Sequence, residues 1–481
     1  MIRMTLRTSI ALILAITVFR LVMLRFDTTD LFVDEAQYWM WSQHLDFGYY
    51  SKPPMIAWVI HAFTWLGGSQ EIFWVRAASP LLHMATALLL IPAGMRLTGS
   101  RQAGAWAGIS YATLPGVALS SIFMSTDTIL FPFLALTLLC YSHLIERRSV
   151  GFALLMGVSI GLGTLSKYAM LYFAATALIS AIALPKARIA LRDTVLAILS
   201  AAAVIAPNIW WNAANGGATL KHTSDNADWH GLNFHLDDAA EFFGSQFGVI
   251  GPVLFGAMVV VLYRLVRGKA STTEKHLCIL SWPIVIVIVF QALMSHAYAN
   301  WAATAYAAGV ILAVFYLLQS KPRLLTTSLI INGITAIILP LLAVYAHQAV
   351  LPNGKPVLAR YLGRSDLSWN IATAAGRAGT ATIVADSRDI LADLFYTLRD
   401  ENFTIRARSN GDFPKNYYEQ EFPLTSASGD ETVMYITSGN VSCHGAVVDP
   451  VADLTPASGY WKGVKIKAYV LPASCLTNRL T

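Results

Sequence analysis

The feature that most constrains this chain is a recurrence of apolar runs, each close to bilayer length, from residue 10 to residue 345 with only short polar loops between them. A membrane-spanning helix needs about 20 mostly apolar residues. Runs near that length fall at 10–24, 73–95, 103–123, 128–143, 151–165, 168–184, 194–211, 247–263, 276–294, 301–318 and 325–345. The pattern predicts about eleven membrane helices, with the shorter, interrupted stretch 54–67 lying at the interface. Composition closes the other routes. Of the 481 residues 56% are hydrophobic and 13% charged, with mean hydropathy +0.54, whereas soluble domains carry about 25% charged residues. There is too little polar surface for a string of water-soluble domains, a disordered scaffold or a small disulfide-rich module.

Charge placement then orients the chain. With the N-terminus on the cytoplasmic side, the inner loops collect Arg3 and Arg7, Arg96 and Arg101, Arg147 and Arg148, Lys186, Arg188 and Arg192, the 264–275 group, and Lys321 with Arg323. The opposite loops collect acids, with Lys52, Lys167 and Lys221 as exceptions. Basic residues on one side at every alternation are what the positive-inside rule requires. The net charge of +6 is therefore a record of topology and not of a nucleic-acid partner. The first apolar run ends in Arg25-Phe26-Asp27 with no small-x-small site, so it reads as an uncleaved anchor. The glycines at 157, 161 and 163 lie inside a run, which suits close helix packing and not a nucleotide loop.

Past residue 345 alternation replaces the long apolar runs. Strands are expected at 381–386, 404–408, 432–438 and 464–471, with an amphipathic helix at 387–399. The chain thus divides into a transmembrane domain, 1–345, containing a chemistry-bearing outer loop at 26–55, and a small extracytoplasmic α/β domain, 346–481. Cys443 and Cys475 lie in the latter, and an oxidising compartment would allow a disulfide between them. Cys140 and Cys278 read as core residues.

The outer loops carry the chemistry. Residues 30–55 hold Asp34-Glu35, the aromatics Tyr38, Trp39, Trp41, Tyr49 and Tyr50, and Lys52-Pro53-Pro54. An interfacial belt explains the aromatics but not adjacent carboxylates beside apolar surface, which need pairing or use. Asp as base and Lys as anion clamp divide the work sensibly. Asp127, in Ser125-Thr126-Asp127, reads equally as a helix-dipole cap or as a functional acid. Asn208 and Asn212 sit in Pro-Asn-Ile-Trp-Trp-Asn, followed by Lys221-His222; His296, Tyr298, Asn300 and Tyr306 cluster around another outer hairpin. Lys167 reads as a cation snorkelling to the outer interface, ahead of a second phosphate contact.

The strings Asp34-Glu35-Ala-Gln-Tyr38-Trp-Met-Trp41 and Gly48-Tyr-Tyr-Ser-Lys52-Pro53-Pro54-Met55 resemble the first-loop signature of the C-type membrane glycosyltransferases. Within that family, they resemble most the bacterial aminoarabinose-transferase and protein-mannosyltransferase-like group. The resemblance covers residues 10–310. It implies a GT-C polytopic fold and an enzyme taking a sugar from a polyprenyl-phosphate carrier at the outer face of the bacterial inner membrane. Lipid A or lipopolysaccharide core is the implied acceptor, with a protein acceptor as the alternative within the family. It implies Asp34 as the key acid, Lys52 on the donor phosphate and Asp127 as a further acid. The pattern departs at two positions: Ser51 stands where the aminoarabinose transferases have a metal-holding Glu, and Gln37 where they have Arg. Those departures weigh against aminoarabinose and leave a divalent metal open; no other cofactor is expected.

Elementary chemistry agrees with the resemblance. Lys52, with Lys221 or His222, would stabilise charge developing on the departing phosphate. Asp34, with Glu35 beside it, would take the proton from an attacking hydroxyl, with inversion at the anomeric carbon. Tyr38, Tyr50, Asn208, Asn212, His296, Tyr298, Asn300 and Tyr306 would line the substrate cavity. A transporter or lipid flippase is the competing class, but transporters concentrate ionisable groups near the midplane on broken helices. Here the charges lie at the outer ends of the apolar runs, and no clear inverted repeat is visible.

Overall fold

A computed structural model describes residues 4–217, 219, 221, 234–408, 414–425 and 431–477. They form two compact units. The first takes in residues 1–25, 46–69 and 73–341; the second is discontinuous in sequence, combining 26–45, 70–72 and 342–481. The outer loop expected within the membrane domain is thus cut between Leu45 and Asp46, and the helix carrying Asp34 counts with the C-terminal residues.

Among the described residues seven helices are long and apolar enough to cross a membrane: Leu6–Arg25, Ile72–Thr98, Thr126–Leu144, Leu191–Ala214, Thr272–Met294, Ala299–Ser320 and Pro322–Val344. Each matches an expected run. Three further runs form the shorter apolar helices Val150–Ser166, Tyr168–Ala183 and Pro252–Val266. The remaining run, 103–123, is not one helix. It breaks into Arg101–Ala112 and Pro115–Ser120, with Leu114 extended between them, because proline disfavours helix in the residue before it and supplies no N–H. The run 247–263 likewise divides: Leu236–Val249 ends before Gly251, whose φ is +91°, and Pro252 starts the next helix. Hydropathy runs through both breaks, but backbone geometry does not.

Burial separates inner helices from outer ones. Thr126–Leu144 and Ala299–Ser320 are mostly enclosed, whereas Leu191–Ala214 turns Val195, Ile198, Leu199 and Ile209 outward, as a helix against hydrocarbon can. That helix meets Val150–Ser166 through the glycines: a Cβ on Gly157 would lie 2.1 Å from the Ala197 carbonyl oxygen, and one on Gly161 2.6 Å from Val204. The small residues serve close packing, as expected.

The second unit contains a five-stranded sheet in the order β2-β1-β3-β7-β6, where β1 is Thr382–Ala385, β2 Thr404–Ala407, β3 Thr432–Thr437, β6 Ala452–Asp453 and β7 Lys467–Pro472. β1 runs parallel to β2 and β3; β7 runs antiparallel to β3 and β6. The helix Arg388–Thr397 makes the crossover from β1 to β2, since parallel neighbours cannot be joined by a tight turn. The hairpin of β4 (Val441–Cys443) and β5 (Ala446–Val448) is tied down by the Cys443–Cys475 disulfide.

Candidate active site

In the second unit the site residues sit on the helix Val33–Gln43. Its entry is fixed from two sides. Asp30 accepts from the Arg364 backbone N–H at 2.9 Å and from Ser365 Oγ at 2.6 Å, and Glu35 Oε2 accepts the Phe32 N–H at 3.0 Å. Glu35 is therefore the capping carboxylate of its own helix, buried to 2% exposure. Asp34, one residue earlier, points elsewhere. Its Oδ1 accepts from Arg388 Nη2 at 2.5 Å, and Arg388 Nε donates to Gln37 Oε1 at 2.8 Å. Asp34 and Gln37, three residues apart on the helix, share one face, so a single planar guanidinium can bridge them. Burial disfavours the Arg388 charge, but the Asp34 carboxylate outweighs it and holds the guanidinium above the ordinary arginine value. Asp34 Oδ2 has no hydrogen-bond partner among the described residues, and the side chain is 44% exposed. One oxygen is anchored and the other stays open.

The aromatics of this helix are not an interfacial belt. Trp41 is fully buried, with Tyr417 edge-on at 5.8 Å and Tyr38 at 5.2 Å. Trp39 is buried against Tyr396 at 5.0 Å and donates to Gln70 Oε1 at 2.7 Å. These rings fasten the helix to the C-terminal α/β residues.

In the first unit a separate charged cluster surrounds Asp127, near the start of Thr126–Leu144. Ser125 Oγ takes the capping role by accepting the Thr128 N–H, which leaves the Asp127 carboxylate for other partners. Both its oxygens accept from Lys167 Nζ, at 2.7 and 2.9 Å, and Oδ2 also accepts from Asn300 Nδ2 at 2.7 Å. The Lys167 ammonium is thus paired with this carboxylate.

Nearby in sequence to Lys52, residues 46–50 are pinned in place. Trp211 Nε1 donates to Asp46 Oδ2 at 2.7 Å, Phe47 N–H to Asp46 Oδ1 at 2.7 Å, and Asn208 Nδ2 to the Phe47 carbonyl at 2.7 Å. Thr219 Oγ1 donates to the Tyr49 carbonyl at 2.7 Å, and the Tyr49 N–H to the Lys52 carbonyl at 3.2 Å. Asn208 and Asn212 also meet the Tyr168 hydroxyl. Asn208 thus braces the loop that carries Lys52, which is half-buried, as is Tyr50. Asp46 is the one carboxylate in residues 46–55, and both its oxygens are engaged, so this loop offers no ready ligand set for a metal.

The remaining candidates disperse. Lys221 is exposed, and His222 lies outside the described residues. His296 bonds Ser295 and neighbours Tyr298 and Trp301, with Tyr298 64% exposed. Tyr306 is a core residue and no cavity lining: it is 2% exposed, packed in the helical core, with its hydroxyl bonded to buried Gln246. Sequence reasoning missed Arg388 and Tyr168, neither of which stands in a motif; Trp211 stands in the Pro-Asn-Ile-Trp-Trp-Asn string, which does not point to Asp46 as its partner.

Residues 51–211 match the dolichyl-phosphate-mannose-protein mannosyltransferase family. Over 470 residues, which cover 98% of this chain and 99% of the relative, the sequence is 48% identical to lipid A galacturonosyltransferase RgtD of Rhizobium johnstonii. Among solved structures, ArnT from Cupriavidus metallidurans in the apo state is similar with a TM-score of 0.65 at 13% identity. The same protein bound to undecaprenyl phosphate gives 0.65 at 15% identity; both cover 98% of this chain and 99% of ArnT. At that identity the likeness to ArnT concerns the fold.

Proposed function

The chain belongs to the C-type polytopic membrane glycosyltransferases that draw on polyprenyl-phosphate-linked sugars, and from that premise we propose that it transfers galacturonic acid from such a carrier onto lipid A. The observation that carries this reading is the 48% identity, along nearly the whole of both chains, to a lipid A galacturonosyltransferase. The setting we infer is the bacterial inner membrane, with residues 346–481 in the periplasm. The one-sided distribution of Lys and Arg and the Cys443–Cys475 disulfide, suited to an oxidising compartment, support it.

The reaction follows from charge bookkeeping. An acceptor hydroxyl oxygen attacks the anomeric carbon from the face opposite the phosphate. The bond from that carbon to the phosphate oxygen breaks, and its electron pair leaves on the phosphate. In-line displacement inverts the anomeric configuration. Asp34 is the proton acceptor: Arg388 holds Oδ1, and the open Oδ2 takes the hydroxyl proton. Lys52 meets the negative charge that grows on the departing phosphate, an interaction stronger in the transition state than in the ground state. Asp127, tied up by Lys167 and Asn300, orients those two side chains and moves no proton.

Mass spectrometry of lipid A from wild-type, deletion and complemented cells tests this. The expected result is loss of one hexuronic acid residue from lipid A on deletion and its return on complementation. Unchanged lipid A, with the missing sugar on another glycolipid or on a protein, overturns the acceptor.

A further inference from the structure

We infer that Arg388, contributed by the C-terminal α/β residues, is the positioning residue for Asp34, so that this part of the chain supplies a component of the active centre. The inference rests on the reading of Asp34 as proton acceptor.

Four observations converge. First, Arg388 spans Asp34 Oδ1 and Gln37 Oε1 with two separate N–H groups, which fixes the plane and rotation of the guanidinium as a single contact would not. Second, the arrangement leaves Asp34 Oδ2 without a hydrogen-bond partner among the described residues, on a side chain that is 44% exposed, so that this oxygen is the one available to a substrate proton. Third, Arg388 is the first residue of the helix Arg388–Thr397, and that helix is itself fastened. Arg364, 1% exposed, donates through Nη1 to both oxygens of Asp393, at 2.9 and 3.0 Å, and lies 3.6 Å from Asp389. Fourth, Arg364 and Ser365 are held by Asp30, four residues ahead of Asp34. The start of one helix is therefore joined to the first half of the other by two links, Asp30 to Arg364 to Asp393 and Asp34 to Arg388. Such a circuit restricts the movement of the Asp34 carboxylate, and misplacement by about 1 Å can cost about a hundredfold in rate.

The circuit also makes a specific prediction about geometry. If the need is for a guanidinium at this point beside Asp34, the side chain can be delivered from the helix Val33–Gln43 itself, because residue 37 shares the face of residue 34.

The experiment compares four full-length enzymes for transfer onto lipid A in membranes: Asp34→Asn, Arg388→Gln, Arg388→Lys, and Arg388→Gln combined with Gln37→Arg. Arg388→Gln should lower kcat about tenfold to a hundredfold and leave the KM for the carrier-linked sugar within about twofold, since no contact to the donor is removed. Arg388→Lys should fall between, because an ammonium cannot fork to both partners. Adding Gln37→Arg should restore most of kcat, which a merely structural loss would not allow. Near wild-type kcat in Arg388→Gln, with Asp34→Asn inactive, overturns the inference and spares the role of Asp34. Full activity in Asp34→Asn overturns that role instead. If Arg388→Gln does not accumulate, Arg388→Lys carries the test: unchanged kcat there counts against the inference.

Discussion

Lys167 Nζ lies 2.7 and 2.9 Å from the two oxygens of Asp127, and this ion pair is mostly enclosed, with side-chain exposures of 23% and 10%. Exposed pairs are worth about 0–1 kcal/mol, whereas breaking a buried one costs about 3–5 kcal/mol because the survivor is left uncompensated. For this partly enclosed pair Lys167→Met should therefore destabilise the protein by an amount between those limits, about 1–3 kcal/mol, and Asp127→Asn by a similar amount. The double variant should be less damaged than the sum of the two, with a coupling of about 1–2 kcal/mol. Thermal inactivation of the enzyme in detergent, run as a double-mutant cycle, measures it; strict additivity would show that the pair is not energetically coupled.

A second expectation separates two cations that look equivalent in sequence. Lys52 is half-buried on a loop braced by Trp211 and Asn208, whereas Lys221 is exposed. Lys52→Ala should lower kcat/KM about 10²-fold to 10³-fold, in line with removing a donor to developing oxyanion charge, and Lys52→Arg should retain part of the activity. Lys221→Ala should change it by about twofold or less. Lipid A mass spectrometry of complemented cells ranks the three variants, and equal losses at both lysines would refute the distinction.

Asp393 gives a pH dependence whose sign is opposite to that of an ordinary exposed carboxylate. Burial raises its pKa from 3.8 to about 7, with the Arg364 charge opposing that rise and Asp389 adding to it. Between about pH 4 and pH 7 the folded chain then holds a proton at Asp393 that the unfolded chain has released. Stability from this group is fully present at low pH and declines as pH rises through that window, by up to about 1.4 kcal/mol per unit. Amide exchange in the full-length protein should show the helices Arg364–Ala378 and Arg388–Thr397 better protected at about pH 5 than at about pH 7.5, after correction for intrinsic rates. Asp393→Asn should remove the difference. Persistence of the pH effect in that variant would assign it to another group.

How far such features can be read in advance depends on the range of the interaction. The apolar runs were legible because a membrane helix is a local pattern, and the glycines at 157 and 161 were legible because small residues at helical spacing have one common use. The breaks at Pro115 and Gly251-Pro252 were also present locally, but a hydropathy reading averages across them. Side-chain roles were harder. Asp34 and Glu35 are adjacent and chemically alike, yet the helix turns Glu35 back onto Phe32 and points Asp34 at Arg388. Asp127 lies in the first turn of its helix as the dipole reading expects, but Ser125 holds the N-cap and the Asp127 carboxylate is engaged by Lys167 and Asn300. Lys167 is 40 residues from Asp127, and Arg388 is 354 residues from Asp34. Nothing short of the fold connects either pair, and an isolated Arg at a helix start carries no signal of its own.

Gly48 offers a test in which no polar group is touched. A Cβ at this position would lie 2.3 Å from Trp211 Cε3 and 2.7 Å from Cδ2, well inside contact distance. The indole has little room to yield: it is 7% exposed, and its Nε1 is bonded to Asp46. The backbone of residues 46–50 must then move, and that segment is joined to Lys52 through the bond from the Tyr49 N–H to the Lys52 carbonyl. Overpacking of this kind costs about 1–3 kcal/mol, and a shift of about 1 Å in a group that positions substrate can cost about a hundredfold in activity. Gly48→Ala should therefore reduce transfer at least about tenfold, chiefly as a higher KM for the carrier-linked sugar, while the protein still inserts and accumulates. Gly151→Ala, where nothing lies within 4 Å of the added Cβ, serves as the control and should be silent. Wild-type kinetics in Gly48→Ala would mean that the loop is free to relax and that the Trp211 brace does not set the position of Lys52.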